Sequence, residues 1–460
     1  MKYMSEDTIA AVSTAMSPSG IGVVRISGPD AFAVADRVYR GKNGKKLGGQ
    51  KGNTIHYGMI EYEGRTLDEV LVMVLRAPHS YTGEDTAEID CHGGVLAVRK
   101  VLEAVLKSGA RPAEPGEFTK RAFLNGRIDL SQAEAVMDII NAGSEAALNS
   151  SLRQLRGSVR DTVDGIRKRL LYEIAFIESA LDDPEHISLD GYPQHLAETV
   201  AAEKEHIRRL LLSTERGKLL REGIRTVILG KPNAGKSSLL NVLTGEDKAI
   251  VTEIAGTTRD VLEEYIDLNG VGLHLLDTAG IREAENIVEQ IGIDRAVEMA
   301  AGADLILFVA DGSVPLDEND EKILDMIRGK KSIVLINKSD LETCVSEEQL
   351  AEKTDAVILS VSAKEETGIE ELSALIREMF FGGEIRNQDE VLITSLRQKK
   401  ELEEAESSLS FVENSIRSGM PEDFYSIDLM GAYEALGNIL GESVGDDLVN
   451  EIFSKFCVGK

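Results

Sequence analysis

The chain has 460 residues, of which 42% are hydrophobic and 28% charged, a composition that predicts about three globular domains of ordinary size. Its formal net charge of −28 and its lack of tryptophan exclude a protein that grips nucleic acid through overall positive charge or extensive base stacking. Because the chain shows no apolar run of membrane-spanning length, no secretory signal and only three scattered cysteines, we expect a cytoplasmic protein with no membrane partner.

Up to about residue 119 the pattern mixes strands and helices. Short β-branched segments at 8–15 and Ile21–Ser27 predict two strands, and residues 54–75 predict a hairpin. Apolar residues at helical spacing then predict a helix over Val95–Lys107. This first part is therefore expected to be an α+β domain.

From about residue 120 to 218 the pattern is almost wholly helical. Residues 131–134 carry a capping-box signature, which predicts a helix start there. Helical periodicity then runs through residues 145–182, where Pro184 breaks it, and through residues 195–221.

Residues 223–380 alternate short apolar strands with helices, which predicts a mostly parallel, doubly wound sheet. The predicted strands are 225–229, 273–276, 305–310, 333–336 and 357–361. After residue 390 the chain is helical again, and about 70 residues are marginal for a separate domain. We therefore expect this α/β domain to interrupt a helical one.

A phosphate-binding loop follows the first of these strands and opens a helix. Its glycines let backbone N–H groups surround phosphate oxygens, Lys236 neutralises the β- and γ-phosphates, and the Ser237 hydroxyl can ligate Mg²⁺. The residues predicted to bind nucleotide here are Asn233, Ala234, Gly235, Lys236, Ser237 and Ser238.

Further motifs follow at later strand ends, in the order that GTPases use. Thr258 suits a second hydroxyl ligand to Mg²⁺, Asp277 can hold the metal through water, and the Gly280 N–H can sense the γ-phosphate. The two motifs concerned comprise Thr257 and Thr258, and Asp277, Thr278, Ala279 and Gly280.

Two further motifs are predicted to recognise the nucleotide base. The Asp340 carboxylate can accept hydrogen bonds from both N1–H and N2–H₂ of guanine, which adenine does not present there, and a loop at Ser362 offers a backbone N–H to O6. Their residues are Asn337, Lys338 and Asp340, and Ser362, Ala363 and Lys364. The motifs together predict a guanine-nucleotide site.

The residue after the DxxG motif departs from Ras-like GTPases. Glutamine orients the attacking water there in Ras, whereas this chain has Ile281, which cannot form a hydrogen bond. Either hydrolysis is negligible or its chemistry is organised differently. Candidate groups follow in what can also be read as a solvated acidic helix start: Arg282, Glu283, Glu285 and Glu289.

These motifs resemble the MnmE (TrmE) family of tRNA modification GTPases. The resemblance rests on the P-loop with Asn233, on GTTRD (256–260), on DTAGIREAENIVE (277–289) and on the ending FCVGK, where the family usually has isoleucine in place of Val458. GVVRISG (22–28), SYTGEDTAEIDCHGG (80–94) and PGEFTKRAFLNGRIDL (115–130) match as well, so the likeness covers essentially the whole chain.

The resemblance implies a domain plan and a function. It implies an α+β tetrahydrofolate-binding, dimerising domain over 1–119, a helical domain over 120–218 and 384–460, and a Ras-like P-loop G domain inserted over 219–383. It further implies a homodimer that acts with the flavoprotein MnmG on tRNA. By the same resemblance, this complex would add an aminomethyl or carboxymethylaminomethyl group to C5 of the wobble uridine, position 34, of certain tRNAs.

The resemblance also implies ligand sites. Asn233 would bind K⁺ with oxygens from Thr252, Ile254 and Thr257, so that the cation supplies the positive charge of an arginine finger. Glu289 would orient water as a catalytic residue. The intervening loop residues expected at the nucleotide are Glu253, Ala255 and Gly256.

A folate such as 5-formyltetrahydrofolate would contact Arg25, Glu88, Arg127 and Lys460, where the family often has lysine at the place of Arg127. Read from the sequence alone, Arg25 and Glu88 are ordinary strand charges.

Cysteines and a basic patch leave alternatives open. Cys457 can be a reactive thiol in the modification step or a small buried hydrophobe under the last helix. Cys91 beside His92 is discounted as a catalytic pair, because neighbouring strand residues face opposite ways.

A stripe of cations can contact tRNA or be a solvated helix face paired with Asp161 and Asp164. The stripe comprises Arg153, Arg156, Arg160, Arg167, Lys168 and Arg169.

Three functional classes follow. The first is a Mg²⁺- and K⁺-dependent GTPase of a tRNA-modifying complex. The second is a ribosome-assembly GTPase, and the third is a folate-dependent one-carbon transfer enzyme with a regulatory G domain. The FCVGK ending and the folate-like module favour the first over the second.

Overall fold

The computed structural model describes residues 7–245, 249–250, 264–276, 300–382 and 391–459. Its contacts divide the chain into two compact units, Met1–Met137 with Leu436–Lys460, and Asp138–Ala435. Within the described ranges, no helix combines the length and apolar character that crossing a membrane requires.

The first unit is built on a seven-stranded sheet. Its strands are β1 Ile9–Val12, β2 Ile21–Ser27, β3 Tyr39–Gly41, β4 Thr54–Tyr62, β5 Arg65–Leu75, β6 Thr86–His92 and β7 Arg111–Pro112. The order is β3-β4-β5-β6-β2-β1-β7, antiparallel except for β1 with β7. The strand alternation of β2 buries Val24 and Ile26 and leaves Arg25 on the other face. The predicted strands and hairpin are confirmed.

Helices complete this unit. Helices Ala31–Val38 and Val95–Lys107 contribute buried residues to the same core as the strands, and the second has the predicted bounds. Two further helices are Glu117–Leu124 and Asp446–Ser454.

The capping box predicted at 131–134 is wrong by two residues. The helix is Leu130–Ile140, and Asp129 and Gln132 cap it reciprocally: the Asp129 carboxylate accepts from the Gln132 N–H, and the Gln132 amide oxygen accepts from the Asp129 N–H, both at 3.0 Å. Asp129 accepts from the Ser131 hydroxyl as well, so Ser131 supports the cap instead of forming it.

The second unit contains a mixed seven-stranded sheet. Its strands are β8 Ile224–Leu229, β9 Ala249–Ile250, β10 Glu264–Leu268, β11 Val271–Leu275, β12 Leu305–Asp311, β13 Ser332–Asn337 and β14 Val357–Ser360. The order is β14-β13-β12-β8-β11-β10-β9, with β10 antiparallel to both of its neighbours and the other pairs parallel. The five predicted strands are confirmed to within two residues.

Alternate residues of β12 belong to two different cores, which shows that both faces of this sheet are covered. Leu307 packs in one core with helices Lys236–Thr244 and Ile369–Phe381, whereas Phe308 packs in the other with helix Glu318–Ile327. A short helix, Glu347–Ala351, also packs in the second core through Leu350. The predicted doubly wound arrangement is therefore confirmed.

The rest of this unit is helical. Its helices are Glu145–Leu155, Ser158–Asp182, Tyr192–Glu222, Leu396–Arg417 and Glu422–Leu440, the last ending in the first unit. The single stretch predicted over 145–182 is two helices, because Gly157 has a positive φ of 100° and turns the chain. Helix Leu396–Arg417 lies along Tyr192–Glu222, where Lys204 pairs with Glu413 at 2.8 Å.

The β10–β11 hairpin packs on the start of helix Glu145–Leu155. The Asp267 carboxylate accepts from the Gly270 N–H within the hairpin and from the Glu145 N–H at 3.0 Å. Tyr265 stacks on His274 across the strands, with ring centroids 4.3 Å apart. This hairpin connects, in sequence, the segment that carries Thr258 to the one that carries Asp277.

Candidate functional site

The predicted phosphate-binding loop has the required local structure. β8 ends at Leu229, and the helix Lys236–Thr244 begins seven residues later. Between them Asn233 and Gly235 adopt positive φ values of 64° and 96°. The loop thus places the N-terminus of the helix beside the carboxyl end of the strand, which is an anion-binding arrangement.

Two glycines of this loop lie where a side chain does not fit. A Cβ at Gly230 would lie 2.4 Å from the Val309 carbonyl oxygen, and one at Gly235 would lie 2.0 Å from the Asn337 amide nitrogen. Glycine therefore allows the loop to rest directly on β12 and β13.

Lys236 lies inside the loop. Its ammonium donates to the carbonyl oxygens of Gly230 and Lys231, both at 2.7 Å. Burial lowers the pKa of Lys236 from its ordinary value, and a phosphate in contact would stabilise the charged form that burial disfavours.

Asn337 ties the base-reading loops to the phosphate loop. Its amide nitrogen donates to the Ala234 carbonyl at 2.8 Å, and its amide oxygen accepts from the Ala363 N–H at 3.0 Å. One buried side chain at the end of β13 thus fixes three loops against one another. The structure brings these predicted residues together as the sequence pattern requires.

Asp340 faces the loop that follows β14. The Ser362 hydroxyl donates to one carboxylate oxygen at 2.6 Å, and the Lys364 ammonium lies 3.8 Å from the other. The Ser362 hydrogen bond lowers the pKa of Asp340, which keeps the carboxylate ionised at neutral pH. An ionised carboxylate accepts from two N–H donors, as guanine presents.

Sequence reasoning missed Asp311. This residue ends β12, and its carboxylate accepts from the Lys338 ammonium at 2.6 Å and from the Ser313 hydroxyl at 2.6 Å. Its signal is an acidic residue directly after a wholly apolar strand, at the edge where the other site residues lie. Asp311 therefore restrains Lys338 beside the base-reading residue Asp340.

Several predicted site residues lie outside the described residues. For the first nucleotide-contacting segment these are Thr252, Glu253, Ile254, Ala255, Gly256, Thr257 and Thr258. For the second they are Asp277, Thr278, Ala279, Gly280, Ile281, Arg282, Glu283, Glu285 and Glu289. Lys460 lies outside as well.

A second cluster lies in the first unit. Arg25 on β2 and Glu88 on β6 are register partners, and their side chains pair at 2.7 Å while staying largely buried. The Arg25 guanidinium also donates to the Gly459 carbonyl at 3.4 Å, which brings the FCVGK segment to the pair. A Cβ at Gly459 would lie 2.1 Å from the Val12 carbonyl, so glycine is required at this close approach.

Tyr81 joins Arg127 to this cluster and was missed from sequence. Its ring centroid lies 5.2 Å from the Arg25 guanidinium and 5.1 Å from that of Arg127, which also donates to the Tyr81 carbonyl at 2.7 Å. The structure therefore brings together three residues that the resemblance assigned to folate.

Comparison with known proteins decides the family. A family model described as the MnmE helical domain matches residues 130–457, and one described as the GTP-binding protein TrmE N-terminus matches residues 8–127. The chain belongs to the MnmE family.

Full-length relatives agree with this assignment. The tRNA modification GTPase MnmE of Lachnoclostridium phytofermentans is 55% identical over 458 residues, covering 99% of this chain and 100% of the relative. The proteins of that name from Carboxydothermus hydrogenoformans and Bacillus subtilis are 49% and 46% identical, each covering 99% of this chain and 100% of the relative. The resemblance read from the motifs to the MnmE family is confirmed.

Cys457, in the MnmE-type ending, is exposed, so its interpretation as a buried hydrophobe is wrong. Its carbonyl accepts from the Gly116 N–H at 3.2 Å, which holds the backbone at this exposed residue.

Cys91 is buried, and burial raises the pKa of its thiol to about 11. His92, in contrast, is exposed and pairs with Asp68. Discounting the Cys91–His92 pair is therefore confirmed.

The basic stripe is not one continuous face. Gly157 separates Arg153 and Arg156 from the other cations. Arg167 is buried, with its guanidinium 4.2 Å from the Tyr433 ring centroid. Arg169 pairs with Glu203. Arg160 lies 3.7 Å from Asp164. These contacts favour the paired-helix interpretation of the stripe over a surface for tRNA.

Proposed function

We propose that this chain hydrolyses GTP to GDP and phosphate and that this cycle serves tRNA modification. The observation that supports it most directly is the Asn337 bridge, since it aligns the phosphate loop with Asp340 and Ser362 for one guanine nucleotide. Family membership supports the tRNA role, because the full-length relatives are named tRNA modification GTPases.

The proposed product is a carboxymethylaminomethyl group on C5 of the wobble uridine, position 34, made together with the flavoprotein MnmG. In this proposal the chain is a cytoplasmic homodimer. It has the three-domain division 1–119, 120–218 with 384–460, and 219–383. The motif match over the whole chain supports this reading.

Metal ions enter the proposal through oxygen ligands. Mg²⁺ would bind the hydroxyls of Ser237 and Thr258, and K⁺ would bind Asn233, Thr252, Ile254 and Thr257. Asn233 is exposed and sits in the loop beside the helix N-terminus, and its neutral amide oxygen is a suitable ligand for a monovalent cation. When bound, these cations would stabilise negative charge on the phosphates.

The chain's own groups would do the rest of the work. Lys236 would exchange its two carbonyl acceptors for phosphate oxygens, and loop N–H groups would hold the phosphates in place. Glu289 would orient the attacking water, a task that Ile281 cannot perform.

A folate, 5-formyltetrahydrofolate or a related form, would bind beside Arg25, Glu88, Arg127 and Lys460. The first three residues converge around Tyr81, and two guanidinium groups suit the carboxylates of a folate tail. Cys457 would take part in the modification step, for which its exposure is a requirement.

The test is a deletion strain complemented with wild type or with Asp340→Asn, whose tRNA nucleosides are measured by mass spectrometry. We expect loss of the modified wobble uridine on deletion, restoration by wild type and failure with the variant, with ribosomal subunit profiles intact throughout. If deletion leaves the content of modified wobble uridine unchanged but gives defective ribosomal subunits, the result would support the ribosome-assembly alternative. One-carbon transfer by the chain alone would support the folate-enzyme alternative.

A further inference from the structure

The second residue of the phosphate loop makes contacts that nucleotide binding does not explain. The Lys231 side chain, only 16% exposed, leaves the loop and reaches two carboxylates. Its ammonium lies 2.6 Å from Asp320 and 2.9 Å from Asp317.

These two carboxylates form the start of helix Glu318–Ile327. Asp317 accepts from the N–H groups of Asn319 and Asp320, and Asp320 accepts in return from the Asp317 N–H at 3.0 Å. Asp320 is 1% exposed, and its other oxygen has no hydrogen-bond partner among the described residues. A buried carboxylate needs a compensating cation, and Lys231 supplies one.

The backbone of Lys231 is held from the opposite side. Its carbonyl accepts from the Lys236 ammonium at 2.7 Å and from the Ala234 N–H at 3.3 Å, while Gly230 before it rests against Val309. If Lys236 turns to a phosphate it gives up this carbonyl, and the side-chain ion pair then holds Lys231 in place together with the Ala234 N–H.

We propose that Lys231 and Asp320 are positioning residues for the guanine nucleotide, because their ion pair holds the outer side of the phosphate loop to helix Glu318–Ile327. This inference rests on the proposed GTPase function and adds to it a determinant of nucleotide residence time. Neither residue needs to touch the nucleotide. The ion pair slows release by keeping the loop in its binding shape.

The experiment measures release of a fluorescent GDP analogue from the full-length chain by stopped flow. We expect Lys231→Met and Asp320→Asn each to release the analogue about tenfold faster, as the loss of one charge-assisted contact implies. The KM for GTP should rise by a similar factor while kcat changes much less. The double variant should lose little more than either single one, and Lys231→Arg should restore most of the residence time.

A matched control is available on the same helix. Glu321 of this helix pairs with Lys353 instead of with a residue of the phosphate loop, so Lys353→Ala removes an ion pair from the helix and should leave release unchanged. Equal effects of Lys353→Ala and Lys231→Met would show a general loss of stability and overturn the proposal, as would an unchanged release rate in Lys231→Met.

A second variant and the binding measurement on wild type distinguish a folding defect, a failure of this proposal and a failure of the proposed function. If Lys231→Met fails to fold, Asp317→Asn removes only the more exposed carboxylate, and it should still speed release several-fold; unchanged release in that variant would overturn the proposal. If the wild-type chain binds no guanine nucleotide, the proposed function itself fails, which is a different result from normal binding with unaltered release.

Discussion

The Ser362 hydroxyl donates to the Asp340 carboxylate at 2.6 Å, so the loop after β14 orients the group that follows β13. Asn337, at the end of β13, fixes both loops to the phosphate loop through its side-chain amide. The loops predicted to recognise the base and the loop predicted to bind the phosphates are thus joined by hydrogen bonds.

Asp340→Asn should change base choice. An amide donates where the carboxylate accepted, so we expect GTP affinity to fall about tenfold to a hundredfold and affinity for xanthosine triphosphate to rise. Asp325→Asn, a change at an exposed carboxylate of the same sheet domain, is the control and should bind like wild type. Equilibrium titration with both nucleotides checks this, and unchanged GTP binding in Asp340→Asn would refute the assignment.

Hydrolysis should depend on potassium. In arginine-finger systems a positive charge at the phosphates accelerates hydrolysis about 10³–10⁵-fold, and a K⁺ ion should give somewhat less. We expect strong activity in KCl and weak activity in NaCl at matched ionic strength, together with K⁺-promoted G-domain pairing in GDP and aluminium fluoride. Equal rates in the two salts would contradict the cation mechanism and direct attention to Arg282 or a partner's group.

Two substitutions separate the roles in that mechanism. Asn233 has a φ of 64°, which glycine also adopts without strain, so Asn233→Gly removes the amide oxygen with less backbone cost than alanine. It should lose the potassium stimulation while keeping nucleotide affinity. Glu289→Ala should instead slow turnover and leave both affinity and G-domain pairing intact.

Folate binding should depend on Arg127. Its guanidinium lies near the Tyr81 ring and is exposed enough to meet a folate carboxylate, so calorimetry with 5-formyltetrahydrofolate should show weaker binding by Arg127→Ala than by wild type. Arg65→Ala, at the exposed first residue of β5 in the same sheet, should bind normally. Absence of binding by the wild-type chain at millimolar ligand would refute the folate site.

Cys457→Ser tests the exposed thiol. The variant should keep GTP hydrolysis, which uses residues of the other unit, and lose wobble-uridine modification in the complemented strain. A thiol reagent should modify Cys457 and Cys344 quickly and Cys91 slowly, because burial raises the pKa of Cys91 to about 11. Full modification activity in Cys457→Ser would exclude a chemical role.

Acid should weaken the first unit through Glu117. Burial raises the pKa of this carboxyl, but hydrogen bonds from Arg111 and Arg121 outweigh burial and lower it below its ordinary value of 4.5. A lowered folded pKa contributes stability above the unfolded value, and this stability is lost as pH falls through the folded one. Glu117→Gln should therefore lower the free energy of unfolding of the first unit by about 3 kcal/mol at neutral pH. The same free energy should fall less steeply with acid in the variant, and hydrogen exchange of residues 9–27 measures both effects.

The parallel strands were predictable because each is a short apolar run between helical segments. β10 was missed because Glu264–Leu268 alternates polar and apolar residues without the apolar character of its neighbours, and β9 is only two residues long. The break at Gly157 was missed because a single glycine inside a periodic pattern does not say whether it bends the helix.

Motif chemistry predicted that the phosphate loop, Asn337 and the loop at Ser362 meet, because strand ends of a parallel sheet share one edge. It could not predict Asp311 or Tyr81, whose roles depend on which side chains lie beside them after folding. The cap at Asp129 shows the same limit, since Asp129 and Ser131 are both acceptable cap residues and only the register of the first turn decides between them.

The stacked Tyr265–His274 pair marks a position where a fluorescent side chain can report on the β10–β11 hairpin. The chain contains no tryptophan, so Tyr265→Trp would introduce a single indole whose emission reports on that hairpin without background. Because the indole would replace a ring that already stacks on the His274 imidazole, separation of the two strands should change its emission. Fluorescence could then follow in real time whether the strand pair joining the two GTPase segments changes its surroundings during turnover.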